Sequence, residues 1–170
     1  IEVYYPVETW PSLNISEFKK TKGARALHNA AEKNDKEKVL RLIKSGTPVD
    51  VIDGSGQTPL GQAIMMGHID MVKLLLDSGA LINGVKSWRG SPLIQATRFR
   101  RVEIVEFLLL RKANPNIRSE PHPGVYGDKG STALGFAIEA DKSLRHNPES
   151  DDSKKNKRII ELLLKAGAKQ

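Results

Sequence analysis

Residues 53–83 read Asp53-Gly-Ser-Gly-Gln-Thr-Pro-Leu-Gly-Gln-Ala-Ile-Met-Met-Gly-His-Ile-Asp-Met-Val-Lys-Leu-Leu-Leu-Asp-Ser-Gly-Ala-Leu-Ile-Asn83. A turn rich in glycine comes first, followed by a short apolar-periodic stretch, Leu60–Met66. A Gly-His-Ile-Asp turn leads to a second periodic stretch, Met71–Leu76, which stops at Gly79-Ala80. That order predicts helix, turn, helix and a left-handed cap. The same register recurs on both sides: Leu27, Leu60 and Leu93 are 33 residues apart, as are Val39, Val72 and Val105, then Leu42, Leu75 and Leu108, then Asp50, Asn83 and Asn116. Four columns held through three segments define a repeat, so each unit is read as a helical hairpin that buries its apolar face against its neighbours.

These residues resemble the ankyrin repeat family, and residues 53–83 follow its pattern throughout. The resemblance implies an all-α solenoid of helix-turn-helix units with finger hairpins, a non-catalytic chain, and partner binding through a concave side made by the fingers and the first helices. The local physics agrees: Thr58 is placed to cap the first helix, Pro59 suits its first turn, and Leu60, Ala63 and Ile64 face the stack. The flanking units depart from the pattern. Arg25 stands where Thr-Pro would begin, Arg100-Arg101 replace Gly-His, and Lys112 replaces the capping glycine.

A fourth unit is placed by Thr132-Ala133-Leu134, whose leucine lies 41 residues after Leu93, eight more than the period. The extra residues predict an enlarged finger over 119–129, with two prolines and two glycines. Leu134 and Leu163 are 29 apart where Leu60 and Leu75 are 15 apart, so 14 residues are inserted between the two helices and are read as a loop near Asp141–Lys154. The expected organisation is therefore a capping segment at 1–22 and a repeat domain at 23–170. Within it the repeats fall at about 23–52, 53–85, 86–118 and 127–170, with insertions at about 119–126 and 141–154. The apolar and aromatic residues Tyr4, Tyr5, Trp10, Leu13, Ile15 and Phe18 suit a cap over the first repeat, and a contact patch is the rival reading.

Composition narrows the function. The chain has 170 residues, 39% of them apolar, enough to bury roughly 70% of its unfolded surface. Zero cysteines remove disulfides, thiolate metal sites and a cysteine nucleophile. Such a chain suits either the cytoplasm or, if Ile1 is a processed start, a bacterial periplasm. No apolar run approaches a membrane span, the densest, Val102–Leu110, being broken by Glu103 and Glu106. His28, His68, His122 and His146 show no metal spacing; the first two sit where the resemblance implies a backbone-bonding histidine. Gly127–Thr132 lacks the phosphate-loop order, and Asp53-Gly-Ser-Gly lacks the spaced ligands of a calcium loop. No enzyme, cofactor or metal function is expected.

A protein partner is. Carrying the exposed positions of the second repeat along the period gives Asn29, Glu32 and Lys33, then Gln62, Met65 and Met66, then Gln95, Arg98 and Phe99, then Phe136, Glu139 and Ala140. The finger position occupied by Ser55 becomes Trp88 one period on. Apolar, aromatic and Arg side chains in a column where polar ones would do suggest binding hot spots. Lys86 and Arg89 beside Trp88, and Tyr126 and Lys129 in the enlarged finger, complete the expected contact set. The net charge is +7, and +6 of it falls in residues 86–118, where Lys86, Arg89, Arg98, Arg100 and Arg101 predict a basic patch. This suits a folded partner with an acidic or mixed surface, the chain alone being monomeric. Nucleic acid fits less well, because residues 53–85 carry −2 and break any continuous basic groove. The alternative function is an inhibitory or immunity-type protein that plugs a partner enzyme's cleft with the enlarged finger.

Overall fold

A computed structural model describes residues 21–53, 55–85, 89–120 and 130–169. Among them are eight helices and no strand: α1 (Ala24–Glu32), α2 (Lys36–Lys44), α3 (Pro59–Met66), α4 (Ile69–Asp77), α5 (Pro92–Arg98), α6 (Val102–Leu110), α7 (Ala133–Leu144) and α8 (Asp151–Lys165). The capping segment expected at 1–22 lies almost wholly outside the described residues, as does most of the enlarged finger.

Five of the eight described helices start on a side-chain cap, and the hairpin turns stop most of them in a left-handed residue. The Thr58, Ser91 and Thr132 hydroxyls accept from the backbone N–H groups of Gly61, Ile94 and Gly135, and Pro59 and Pro92 occupy the first turn, where no helical hydrogen bond is lost. The first helices α1, α3 and α5 end where the chain turns left-handed, at Asn34 (φ +57°), Gly67 (φ +83°) and Arg100 (φ +51°). The second helices α2, α4 and α6 end likewise at Gly46, Gly79 and Lys112. Asparagine tolerates that region, but Arg100 and Lys112 hold it against their Cβ atoms because the packed hairpin fixes the turn.

The helices form two layers. First helices stack on first helices, α1 on α3 on α5 on α7, and second helices do the same, α4 on α6 on α8. The core is the apolar columns read from the period: Leu27, Leu60, Leu93 and Leu134 are buried, as are Val39, Val72 and Val105, and Leu75, Leu108 and Leu163. Leu42 is half-buried at the edge of its column. At the other end Leu164 is 56% exposed, since no described element stacks on the outer face of α8.

Polar columns join the repeats. Asp50 accepts from the Leu81 N–H, Asn83 from the Asn114 N–H at 2.9 Å, and Asn116 from the Lys169 N–H at 2.7 Å. The first two pairs span 31 residues and the third 53, a difference of 22 that matches insertions of eight and fourteen.

The fourteen residues do not form the expected loop. Glu139 is the counterpart of Arg98, where α5 ends, yet α7 runs on to Leu144; Lys157 is the counterpart of Val102, where α6 begins, yet α8 begins at Asp151. The insertion lengthens both helices, with only residues 145–150 as the turn between them. The Ser150 hydroxyl caps α8 by accepting from the Ser153 N–H, and Asp151 and Asp152 place negative charge at its positive end. Buried Asn156 ties the lengthened pair together by donating to the Ala137 carbonyl at 2.9 Å.

Candidate functional site: the ends of the first helices

Met65 and Met66 lie in the last turn of α3, and Arg98 and Phe99 lie at the matching end of α5, one period on. The chain turns left-handed just after each pair, so these side chains stay on the rim of the stack rather than within it. Met66 is 39% and Phe99 38% exposed, while Met65 is half-buried. The Arg98 guanidinium sits 5.2 Å from the centre of the Phe136 ring on α7, and Phe136 packs its other side on the core.

Beside this pair is a cleft of about 350 Å³ lined by Thr97, Arg98, Arg100, Phe136, Glu139, Ala140 and Ser143. One wall is the end of α5. The other includes the part of α7 that continues past Glu139, so the helix extension helps to build the cleft. Sequence reading missed Ser143 as a lining residue because it took 141–154 for a loop, and missed Thr97 because that residue is buried at the end of α5 rather than in the exposed column. The available signal was the lack of any glycine or proline between Phe136 and Asn147, with Pro148 the first breaker.

Several expected contact residues prove to have other roles. Gln95 is a correction: it is 6% exposed and donates through Nε2 to the Gly90 carbonyl at 3.3 Å. The neighbouring repeat carries Gly61 at the facing position, where a Cβ would lie 2.6 Å from Gln95 Oε1, so the amide fills space that a side chain would otherwise take. Three members of the expected basic patch turn to different neighbours. Arg89 Nε donates to the Ser55 carbonyl, finger to finger, at 2.9 Å. Arg100 lies 3.6 Å from Asp152 on the lengthened α8. Arg101 donates to the Met65 carbonyl at 2.6 Å.

The Arg101 bond replaces one made by histidine a repeat earlier. His68 Nε2 donates to the Glu32 carbonyl at 2.9 Å, and Glu32 and Met65 occupy the same place in successive repeats. His28 is buried with both ring nitrogens facing carbonyls, those of Ala24 and Gln57, at 2.9 and 3.0 Å. Both histidines therefore bond backbone, as their positions implied.

The second finger is rigidified by Asp53, whose Oδ1 accepts from the Ser55 N–H, the Ser55 hydroxyl and the Gln57 N–H. Burial alone would raise the Asp53 carboxyl, but those hydrogen bonds, with His28 near, together hold it below its ordinary value. At the base of the enlarged finger the Ser119 N–H donates to the Ser131 carbonyl at 3.0 Å, and the Ser131 N–H returns a bond to the Ser119 hydroxyl at 3.1 Å. Lys86, Trp88, Tyr126 and Lys129 lie outside the described residues. The expectation of an enzyme-plugging chain rested on two long loops, and one of them is now helix.

Residues 27–119 match the family model of ankyrin repeats in three copies, more than half of the sequence, and the chain belongs to the ankyrin repeat family. It is 35% identical over 116 residues to the E3 ubiquitin-protein ligase hecd-1 of Caenorhabditis elegans, covering 68% of this chain and 4% of that protein. It is 34% identical over 106 residues to a putative ankyrin repeat protein of Rickettsia felis, covering 61% and 35%. It is 29% identical over 180 residues to the ANK repeat-containing protein nipk-1 of Caenorhabditis elegans, covering 97% and 27%. The chain thus spans 35% or less of the length of these curated relatives. Ankyrin repeats are in general protein–protein interaction modules without catalysis of their own. Among the described residues no cluster of His, Asp and Glu could hold a metal ion, and no helix is long and apolar enough to cross a membrane.

Proposed function

We propose that the chain binds a folded protein through the face made by its first helices and fingers, with no turnover of its own. The supporting observation is that Met66 and Phe99 repeat one period apart as exposed, large apolar side chains at the ends of α3 and α5. Solvent contact alone would favour polar residues there. Arg98, beside Phe99 and poised on the Phe136 ring, adds an amphipathic anchor, the composition expected of a hot spot. Met65 flexes to fit, and Arg89, Lys86 and Trp88 from the third finger, with Tyr126 and Lys129 from the fourth, extend the same contact by their place in the sequence. A surplus of +6 in residues 86–118 selects a partner whose facing surface is acidic or mixed.

The test starts from a partner captured with the full chain, purified, and titrated calorimetrically. The double variant Arg98→Ala with Phe99→Ala should lose affinity by about 100-fold or more, since single hot spots are worth about 2 kcal/mol. Leu110→Ala, on the second-helix layer and 74% exposed, should leave affinity unchanged. Equal affinity of the double variant and the wild-type chain would reject this face. A slope of log affinity on log salt that scales with many phosphate contacts, unaltered by Phe99→Ala, would point instead to nucleic acid.

A further inference from the structure

We infer that the cleft between α5 and the lengthened α7 receives an acidic peptide segment of the partner, with Arg98 as the carboxylate anchor and Phe136 and Ala140 as the seat for an adjoining apolar side chain. The inference rests on the protein-binding reading above and deepens it by giving the chemistry of what enters the site.

The charge balance of the cleft singles out Arg98. Of the cations in the third repeat, Arg89 is spent on the Ser55 carbonyl, Arg101 on the Met65 carbonyl, Arg100 faces Asp152 and Arg111 pairs with Asp77 at 2.9 Å. The Glu139 carboxylate, which lines the cleft, is held by Lys142 at 2.8 Å. Arg98 has no carboxylate partner among the described residues and is exposed, with only the Phe136 ring beneath it. A guanidinium steadied on a ring keeps its in-plane N–H groups available, and their fork matches the two oxygens of a carboxylate.

The remaining lining suits a peptide better than a bare anion. Phe136 and Ala140 are apolar, Phe99 lies next to Arg98 on the rim, and about 350 Å³ is room for one or two side chains. Thr97, buried to 2% exposure, closes the bottom of the same cleft without presenting a charge to it. Arg100 in the same lining already faces Asp152, and Glu139 lines the cleft as well, so among the described residues a polyphosphate or an anionic membrane would find one cation there without a carboxylate partner, enough for a single side-chain carboxylate.

The full chain is titrated, by calorimetry and amide chemical shifts, with an end-blocked eight-residue peptide of alternating leucine and glutamate, with its leucine–glutamine counterpart, with inorganic phosphate, and with phosphatidylserine vesicles. Saturable binding of the glutamate peptide is expected, at least about tenfold weaker for the glutamine peptide and for Arg98→Met, and weakened again by Ala140→Trp, which fills the cleft. Because Arg98 and Phe136 meet at the surface, an unchanged dichroism spectrum and melting curve for Arg98→Met serve as the folding control. The assignment is overturned by equal binding of the glutamine peptide, by indifference to Arg98→Met, by tighter binding of phosphate or vesicles, or by no saturable binding at millimolar peptide. If the peptide fails while the Arg98→Ala, Phe99→Ala chain still loses the purified partner, the cleft assignment falls and the protein-binding face stands.

Discussion

One column shows how a residue type is selected and where selection stops short. Asp50, Asn83 and Asn116 each accept a backbone N–H from the following repeat, but only Asp50 brings a charge to the bond. Burial raises its carboxyl above the ordinary value, and the bond from the Leu81 N–H offsets only part of this. The folded chain therefore takes up a proton at Asp50 at a higher pH than the unfolded chain does. The carboxylate costs stability above the folded pKa, and that cost disappears once the pH falls below the unfolded value. Asp50→Asn keeps the acceptor without the charge, so it should stabilise the chain by about 0.5 kcal/mol at neutral pH, with the gain shrinking through the acid range. Urea melts of both chains at pH 7 and pH 3.5 measure it. The column itself was legible as a period of Asp and Asn. The role of Arg101 was not, because a guanidinium there makes the backbone bond that His68 makes one repeat earlier, and no pattern of residue types announces that two different side chains reach equivalent carbonyls. Gln95 was misjudged for a related reason: its burial depends on Gly61 in another repeat leaving room for it.

At the scale of the element, the lengthened α7 and α8 are where sequence and structure part. Length arithmetic located the insertion, since it needs only two leucines to keep their places. Its conformation depended on whether two helices already started would simply continue. Continuation adds a hydrogen bond per residue without a new nucleation step, so uninterrupted helix formers go on until Asn147-Pro148 stops them. Ser150 then restarts the chain as the cap of α8. Ser150→Ala should cost about 1 kcal/mol and speed amide exchange in residues 151–155 ahead of the rest of α8. A uniform rise in exchange across the whole chain would mean that the extension does not open separately. The same extension supplies Ala140 and Ser143 to the cleft, so the feature least legible in the sequence is the one that shapes the candidate site.

For the whole molecule, the architecture was legible because a solenoid needs little beyond nearest-neighbour contacts. Three columns of Leu and Val, one period apart, each close on the next repeat, and no long-range pairing had to be guessed. The binding face is a different matter. A residue that serves a partner has no intramolecular contact to betray it, and the sign left in the chain is an apolar or cationic side chain where solvent would favour neither. Met66, Phe99 and Arg98 carry that sign. The most direct measurement is hydrogen–deuterium exchange of the full chain alone and with its purified partner. The account predicts slowed exchange at the ends of α3 and α5, over 63–67 and 96–101, and along 136–143 of α7, with α2, α4 and α6 unchanged. Protection confined to α4 and α6, with the ends of α3 and α5 exchanging as in the free chain, would contradict it.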